Sequence, residues 1–174
     1  DMTVGGRDNI HLKTVDPLYH LAFFELQSDL PDPYPFAVPL GHREKLAVGA
    51  TVFLGGNPLI LGTSFRSGEV SSLKKRGHVP IQLAEQLLPD SFYLANLPVI
   101  WGDSGHVVYA ATPCGDAEAV GMAFILTPGL GMVDLRWILD VEVIRLFAKK
   151  NGVDLETLQK RYNDWRRTQP PKTP

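Results

Sequence analysis

The chain has 174 residues, the size of one domain or one and a fraction, and it is 44% apolar and 21% charged, an ordinary balance for a soluble globular protein. A formal net charge of -2 excludes nucleic-acid or membrane-surface recognition driven by bulk electrostatics. The one cysteine, Cys114, excludes an intrachain disulfide, so the chain is expected to be soluble and not disulfide-stabilised, with Cys114 as a small half-buried side chain.

No apolar run approaches the roughly 20 residues that a membrane-spanning helix needs. No signal peptide is visible. Because the chain opens on Asp1 rather than Met, it is expected to be processed, trimmed or a fragment, and its compartment is left open.

In chain order, residues 10 to 15 and 19 to 26 read as strands, broken by Asp16-Pro17. Residues 28 to 40 hold four prolines and read as a loop, since proline cannot donate to a sheet ladder. Strands resume at Ala47 to Leu54 and Leu61 to Ser72, around the turn signal Gly55-Gly56-Asn57-Pro58. Lys74-Lys75-Arg76-Gly77 reads as a solvated basic tip, and Ile81 to Leu88 as a short helix or a loop.

Ser91 to Ala95, Val107 to Ala111 and Ala117 to Leu126 read as strands, the last two joined by a turn at Thr112 to Asp116. From Leu135 the apolar positions Leu135, Ile138, Leu139, Val143, Leu146 and Phe147 recur at helical spacing. Asp134 is the expected N-cap, and Asn151-Gly152 the stop. A second helix is expected after Asp154, with the stripe Leu155, Leu158, Tyr162 and Trp165. The fold class is mostly β, a barrel or sandwich of short strands with one or two C-terminal helices.

Chemistry concentrates in Gly102-Asp103-Ser104-Gly105, a turn between strands. A serine nucleophile must stand out on a tight turn whose backbone N–H groups face the developing oxyanion, and glycine permits the required angles. His106, two residues on, would share a face with Ser104 if both lay on a strand, which would allow a local Ser–His pair. His11, His42 and His78 read as surface side chains, and the histidines show no metal-ligand spacing with one another or with Cys114.

Several segments resemble the HtrA (Deg) branch of the trypsin-fold serine peptidases, in order over about residues 10 to 150. Val48 to Gly62 resembles the family's V-G-x-x-V…G-N-P…G pattern, and Ser67-Gly68-Glu69-Val70-Ser71 its S-G-I-V-S. Ala95 to Gly105 resembles the approach to the nucleophile, Ala119 to Phe124 the V-V-G-I strand, and Gly131-Met132-Val133 with the following helix the G-F-A-I-P segment. The resemblance implies a trypsin-like antiparallel β-barrel, complete for the C-terminal barrel and only partial for the N-terminal one. Residues 1–46 would be the remnant of the first barrel and the interbarrel loop, 47–133 the second barrel, and 134–174 the C-terminal helices and tail.

The resemblance makes Ser104 the nucleophile and the Gly102, Asp103 and Ser104 turn the oxyanion hole, with the N–H groups of Gly102 and Ser104 as donors. In the segment Asp16-Pro17-Leu18-Tyr19-His20, His20 falls at the family's acid position, where it cannot supply the negative charge that stabilises an imidazolium. Asp16 lies four residues away, too far along an extended strand. The base histidine's [AT]-x-H motif does not occur in the chain, Gly-His-Val replaces the family's continuation after Ser104, and Pro98 stands six residues before the nucleophile, so no acid awaits a basic substrate side chain. A non-catalytic pseudopeptidase module for protein binding or assembly is therefore expected, and the alternative is a serine endopeptidase whose base lies upstream of or outside this chain. No cofactor or metal is expected. A protein partner or missing N-terminal segment is expected against residues 10–40, since half a barrel leaves edges and apolar strands to cover.

Overall fold

The fold comes from a computed structural model describing residues 2–4, 7–26, 38–56, 62, 64–73, 91–112, 116–124 and 135–168. The readings made at Cys114, His78, the basic tip 74–77, residues 81–88 and the segment 131–134 lie outside the described residues. The protein is mostly β, in two compact units: residues 38–144, and residues 1–37 with 145–174.

The first of these is a closed six-stranded antiparallel barrel. Its strands are β4 (Thr51–Gly56), β5 (Ser64–Ser72), β6 (Phe92–Ala95), β7 (Val107–Ala111), β8 (Ala117–Phe124) and β9 (Arg136–Asp140), in the cyclic order β4-β5-β6-β9-β8-β7. Alternation drives the closure. On β4, Val52 and Leu54 are fully buried while Phe53 faces outward and stacks on Phe65 of β5 with ring centroids 5.4 Å apart. The inward positions of the other strands, among them Val70, Tyr93, Ala95, Val108 and Ile138, complete one core.

The sixth strand corrects the sequence reading. Arg136–Asp140 is β9, paired with both β6 and β8, and not the start of a helix. Ile138 and Leu139 point to opposite faces of β9, yet both are fully buried. A strand buried on both faces loses its period-2 signature, and Leu135, Ile138 and Leu139 then mimic a helical stripe. The barrel therefore extends past residue 133, and helix α1 begins at Val141 (Val141–Lys150). Its cap is Asp140, whose Oδ1 accepts the Glu142 N–H at 3.0 Å.

Asp140 is fully buried and faces Arg43 Nη1 at 3.0 Å. Burial pushes its carboxyl above the usual carboxylate range, against the opposing pull of the Glu142 N–H and the Arg43 charge. A raised folded-state value means that Asp140's contribution to stability is complete below its ordinary titration range and is lost as pH rises through the folded value. The stability advantage of the wild type over Asp140→Asn should therefore be largest near pH 4 and shrink toward neutrality, read from urea midpoints across that range. An advantage that grows with pH would contradict the assignment.

The second unit contains a three-stranded sheet of β1 (Met2–Val4), β2 (Arg7–Asp16) and β3 (Leu21–Leu26), in the order β1-β2-β3. A register shift between Leu12 and Thr14 keeps Leu12↔Phe24 and Val15↔Ala22 in step. Leu12, Val15 and Phe24 are exposed. The same unit holds helix α2 (Leu155–Thr168), whose cap Asp154 accepts the Thr157 N–H at 3.0 Å and its hydroxyl at 2.6 Å. Arg145 of α1 pairs with Glu156 of α2. Asn151-Gly152 ends α1 as expected, with the Val153 N–H closing on the Ala148 oxygen at 2.9 Å. Among the described residues, no helix is long and apolar enough to cross a membrane.

Candidate functional site

Between β6 and β7 the chain runs from Asn96 to His106 across β5 and turns back into the barrel. This approach is fastened at successive points. A Cβ on Gly68 of β5 would lie 2.7 Å from Leu97 Cα and 2.9 Å from the Asn96 oxygen, so only glycine lets the segment pass this closely. Asn96 Oδ1 accepts the Glu69 N–H. Arg66 Nη1 donates to the Pro98 oxygen at 2.7 Å, and Arg136 Nε to the Val99 oxygen at 3.1 Å. Leu97 and Val99 are buried, whereas Ile100 and Trp101 point outward, with Trp101 65% exposed.

Gly102 and Gly105 bracket the turn with φ of 96° and 85°, in the left-handed region that side-chain-bearing residues rarely adopt. The backbone reverses through three bonds: Asp103 N–H to Ile100 O at 3.1 Å, His106 N–H to Asp103 O at 2.9 Å and Gly105 N–H to Ala123 O of β8 at 2.9 Å. Ser104 is exposed at the tip.

Within the expected oxyanion turn of Gly102, Asp103 and Ser104, the Asp103 N–H is bonded to Ile100 O. The N–H groups of Gly102 and Ser104 have no backbone partner among the described residues.

Asp103 itself points inward and is fully buried. It takes Arg66 Nη1 on Oδ2 and Nη2 on Oδ1, both at 2.6 Å, and the Ile100 N–H on Oδ2 at 2.8 Å. Burial pushes its carboxyl up, but the Arg66 fork, the Ile100 N–H and the guanidinium charge together hold it below the usual range. Arg66 is raised in turn, first by its hydrogen bond to Asp103.

Sequence reasoning missed this pair, although a signal was present. On β5, positions 64, 66, 68 and 70 share the more enclosed face, which ends at the buried Val70. A guanidinium in that phase signals a buried acid, but the sequence does not choose Asp103 over other turn acids such as Asp16 and Asp116.

The histidines divide differently from the expectation. Ser104 and His106 do not lie on a common strand, because β7 starts at Val107. The His106 ring turns toward the turn's own backbone, with Nδ1 3.2 Å from the Asp103 oxygen, and its Cδ2 is where a Cβ on Gly56 would meet it at 3.0 Å. No hydrogen bond joins the Ser104 hydroxyl to a histidine among the described residues.

His20 is not on the strand where the sequence put it. It closes the turn before β3 at φ 51° and is exposed. Asp16 and Leu21 are register partners across that turn, so Asp16 is not separated from His20 by an extended strand. The Asp16 carboxylate is occupied locally, accepting the Leu18 and Tyr19 N–H groups at 2.9 and 3.2 Å. His11 is exposed on β2, and His42 Nδ1 stands 3.9 Å from Glu142 Oε1. Among the described residues, no group of three His, Cys, Asp or Glu side chains is placed to hold a metal ion. Compared with protein-family models and with curated proteins, the chain matches none.

Proposed function

We propose that this chain is a non-catalytic, trypsin-fold module of HtrA-like descent that binds protein through a nucleophile turn it does not use for cleavage. The observation that carries the reading is the combination at Ser104: an exposed hydroxyl on a turn between two barrel strands, with no hydrogen bond to a histidine among the described residues. A serine hydroxyl is a weak nucleophile until a base within hydrogen-bond reach takes its proton. The Gly102 and Ser104 N–H groups, without backbone partners among the described residues, suit a peptide carbonyl oxygen. Exposed Ile100 and Trp101 beside them offer apolar surface for a peptide side chain. The exposed apolar positions Leu12, Val15 and Phe24 on β2 and β3 support a protein partner over residues 10–40.

A second reading is favoured by how the same turn is held, by three backbone bonds and the Arg66–Asp103 pair. With a base supplied from upstream or from another chain, Ser104 Oγ attacks a peptide carbonyl, the base takes the hydroxyl proton, and the two N–H groups hold the oxyanion. His20, at the family's acid position, carries no negative charge to support that base. Fluorophosphonate labelling of the full-length protein separates the readings. Ser104 is expected to stay unmodified, and phosphonylation there would reject the binding-only function.

A further inference from the structure

We infer that Arg66 is the positioning residue of the Ser104 turn: its half-buried guanidinium fork, paired with the buried Asp103 and bonded to the Pro98 carbonyl, sets the direction of the Ser104 N–H that receives a ligand's carbonyl oxygen. The inference deepens the reading of this turn as the ligand-holding element and rests on it.

The geometry runs through one peptide plane. The Asp103 carbonyl and the Ser104 N–H belong to the same planar trans unit and point in opposite directions. The carbonyl end is taken by the His106 N–H at 2.9 Å. The Cα of Asp103 is held from the other side by its own carboxylate, clamped by two Arg66 nitrogens at 2.6 Å and by the Ile100 N–H at 2.8 Å. With both ends of the residue fixed, the Ser104 N–H has one direction left.

The same arginine reaches back to Pro98 at 2.7 Å, so entry and apex of the loop are tied to one strand of the barrel. Bidentate arginine–carboxylate geometry fixes orientation as well as distance, which a lysine point charge would not do. Pairing also cancels the carboxylate's charge one residue from Ser104, so an electron-rich oxygen approaching the turn meets no unbalanced anion. The ion pair and its bond to Pro98 lie within residues 66–106, and the turn is braced further by Gly105 N–H to Ala123 O and by Arg136 Nε to Val99 O.

The test is backbone ¹⁵N relaxation and amide exchange on the wild type, on Arg66→Lys and on the paired variant Arg66→Met with Asp103→Leu. The paired variant replaces the ions by apolar groups and is expected to fold with a near-wild-type urea midpoint, as buried pairs often permit. If Arg66 positions the turn, the order parameters of residues 102–105 fall from about 0.85 to below about 0.6 in that variant, although stability is kept. Wild-type rigidity of the turn in the stable paired variant would overturn the inference.

Arg66→Lys keeps the charge and removes the fork. The Asp103, Gly105 and His106 amides are expected to exchange about tenfold faster there, with Val108 and Gly121 unchanged. No change, or a uniform change over the barrel, would also overturn it. None of these readouts needs a ligand or a reaction. Failure to bind peptide, or labelling at Ser104, therefore bears on the functional reading and leaves this result standing.

Discussion

Arg66→Met should lower the free energy of unfolding by about 3–5 kcal/mol, the usual cost of removing one partner from a buried ion pair. The cost arises from what stays behind. Asp103 has no exposed surface, so its carboxylate would keep the Ile100 N–H and lose both bonds from Arg66. Met fills much of the stem's volume, which leaves the orphaned charge as the dominant loss rather than a cavity. For a chain of this size the loss corresponds to a fall in Tm of about 10 °C.

The pH dependence should carry the opposite sign to that of Asp140. A carboxyl held below its ordinary range contributes stability above that range and loses it as pH falls through the folded value. The deficit of Arg66→Met relative to wild type should therefore be full at neutral pH and close only in acid, below about pH 4. A deficit under 1 kcal/mol at pH 7, by urea unfolding, would show the pair to be incidental (about the worth of an exposed ion pair).

Gly121→Ala is the second large effect, and its origin is steric. Gly121 lies on β8 between β7 and β9, opposite Asp140 in the β9 register. A Cβ there would sit 2.5 Å from the Leu139 oxygen, 2.7 Å from Ile138 Cγ2 and 3.2 Å from the Tyr93 hydroxyl. The nearest of these is main chain in a strand paired on both sides, so it cannot yield without opening the barrel seam. Overpacking of this kind costs about 3 kcal/mol, and calorimetry should show a Tm lower by about 10 °C. Gly55→Ala is the matched control. Its Cβ would meet only Phe65 Cδ2, at 3.9 Å, and the change should stay within about 0.5 kcal/mol.

The parts of the fold legible in the sequence are those where one face of an element is wet. Val52 and Leu54 alternate with Phe53 on β4, and helix α2 follows its expected cap Asp154, with Leu155, Tyr162 and Trp165 of the expected stripe half-buried and Leu158 exposed. The failure at β9 came from the opposite circumstance. With Ile138 and Leu139 both enclosed, hydrophobicity marks burial and says nothing about which way each side chain points. The turn before β3 was hidden for a local reason. Tyr19 and His20 read as strand by composition, but the Asp16 side chain captures two backbone N–H groups and folds them into a turn.

The site was legible where glycine betrays a tight backbone, at Gly102 and Gly105. It was not legible where the anchor comes from a strand 37 positions away in sequence, because pairing between Arg66 and Asp103 is a property of barrel closure and not of either segment alone.

The measurement that bears most directly on the account is the intact mass of the protein after prolonged exposure to a fluorophosphonate, beside the same experiment on Ser104→Ala. Both proteins should show unmodified masses, since a hydroxyl with no histidine hydrogen-bonded to it among the described residues reacts no faster than any surface serine. A single phosphonyl adduct on the wild type, mapped to Ser104 and lost in the alanine variant, would contradict it and mark the turn as a working catalytic centre.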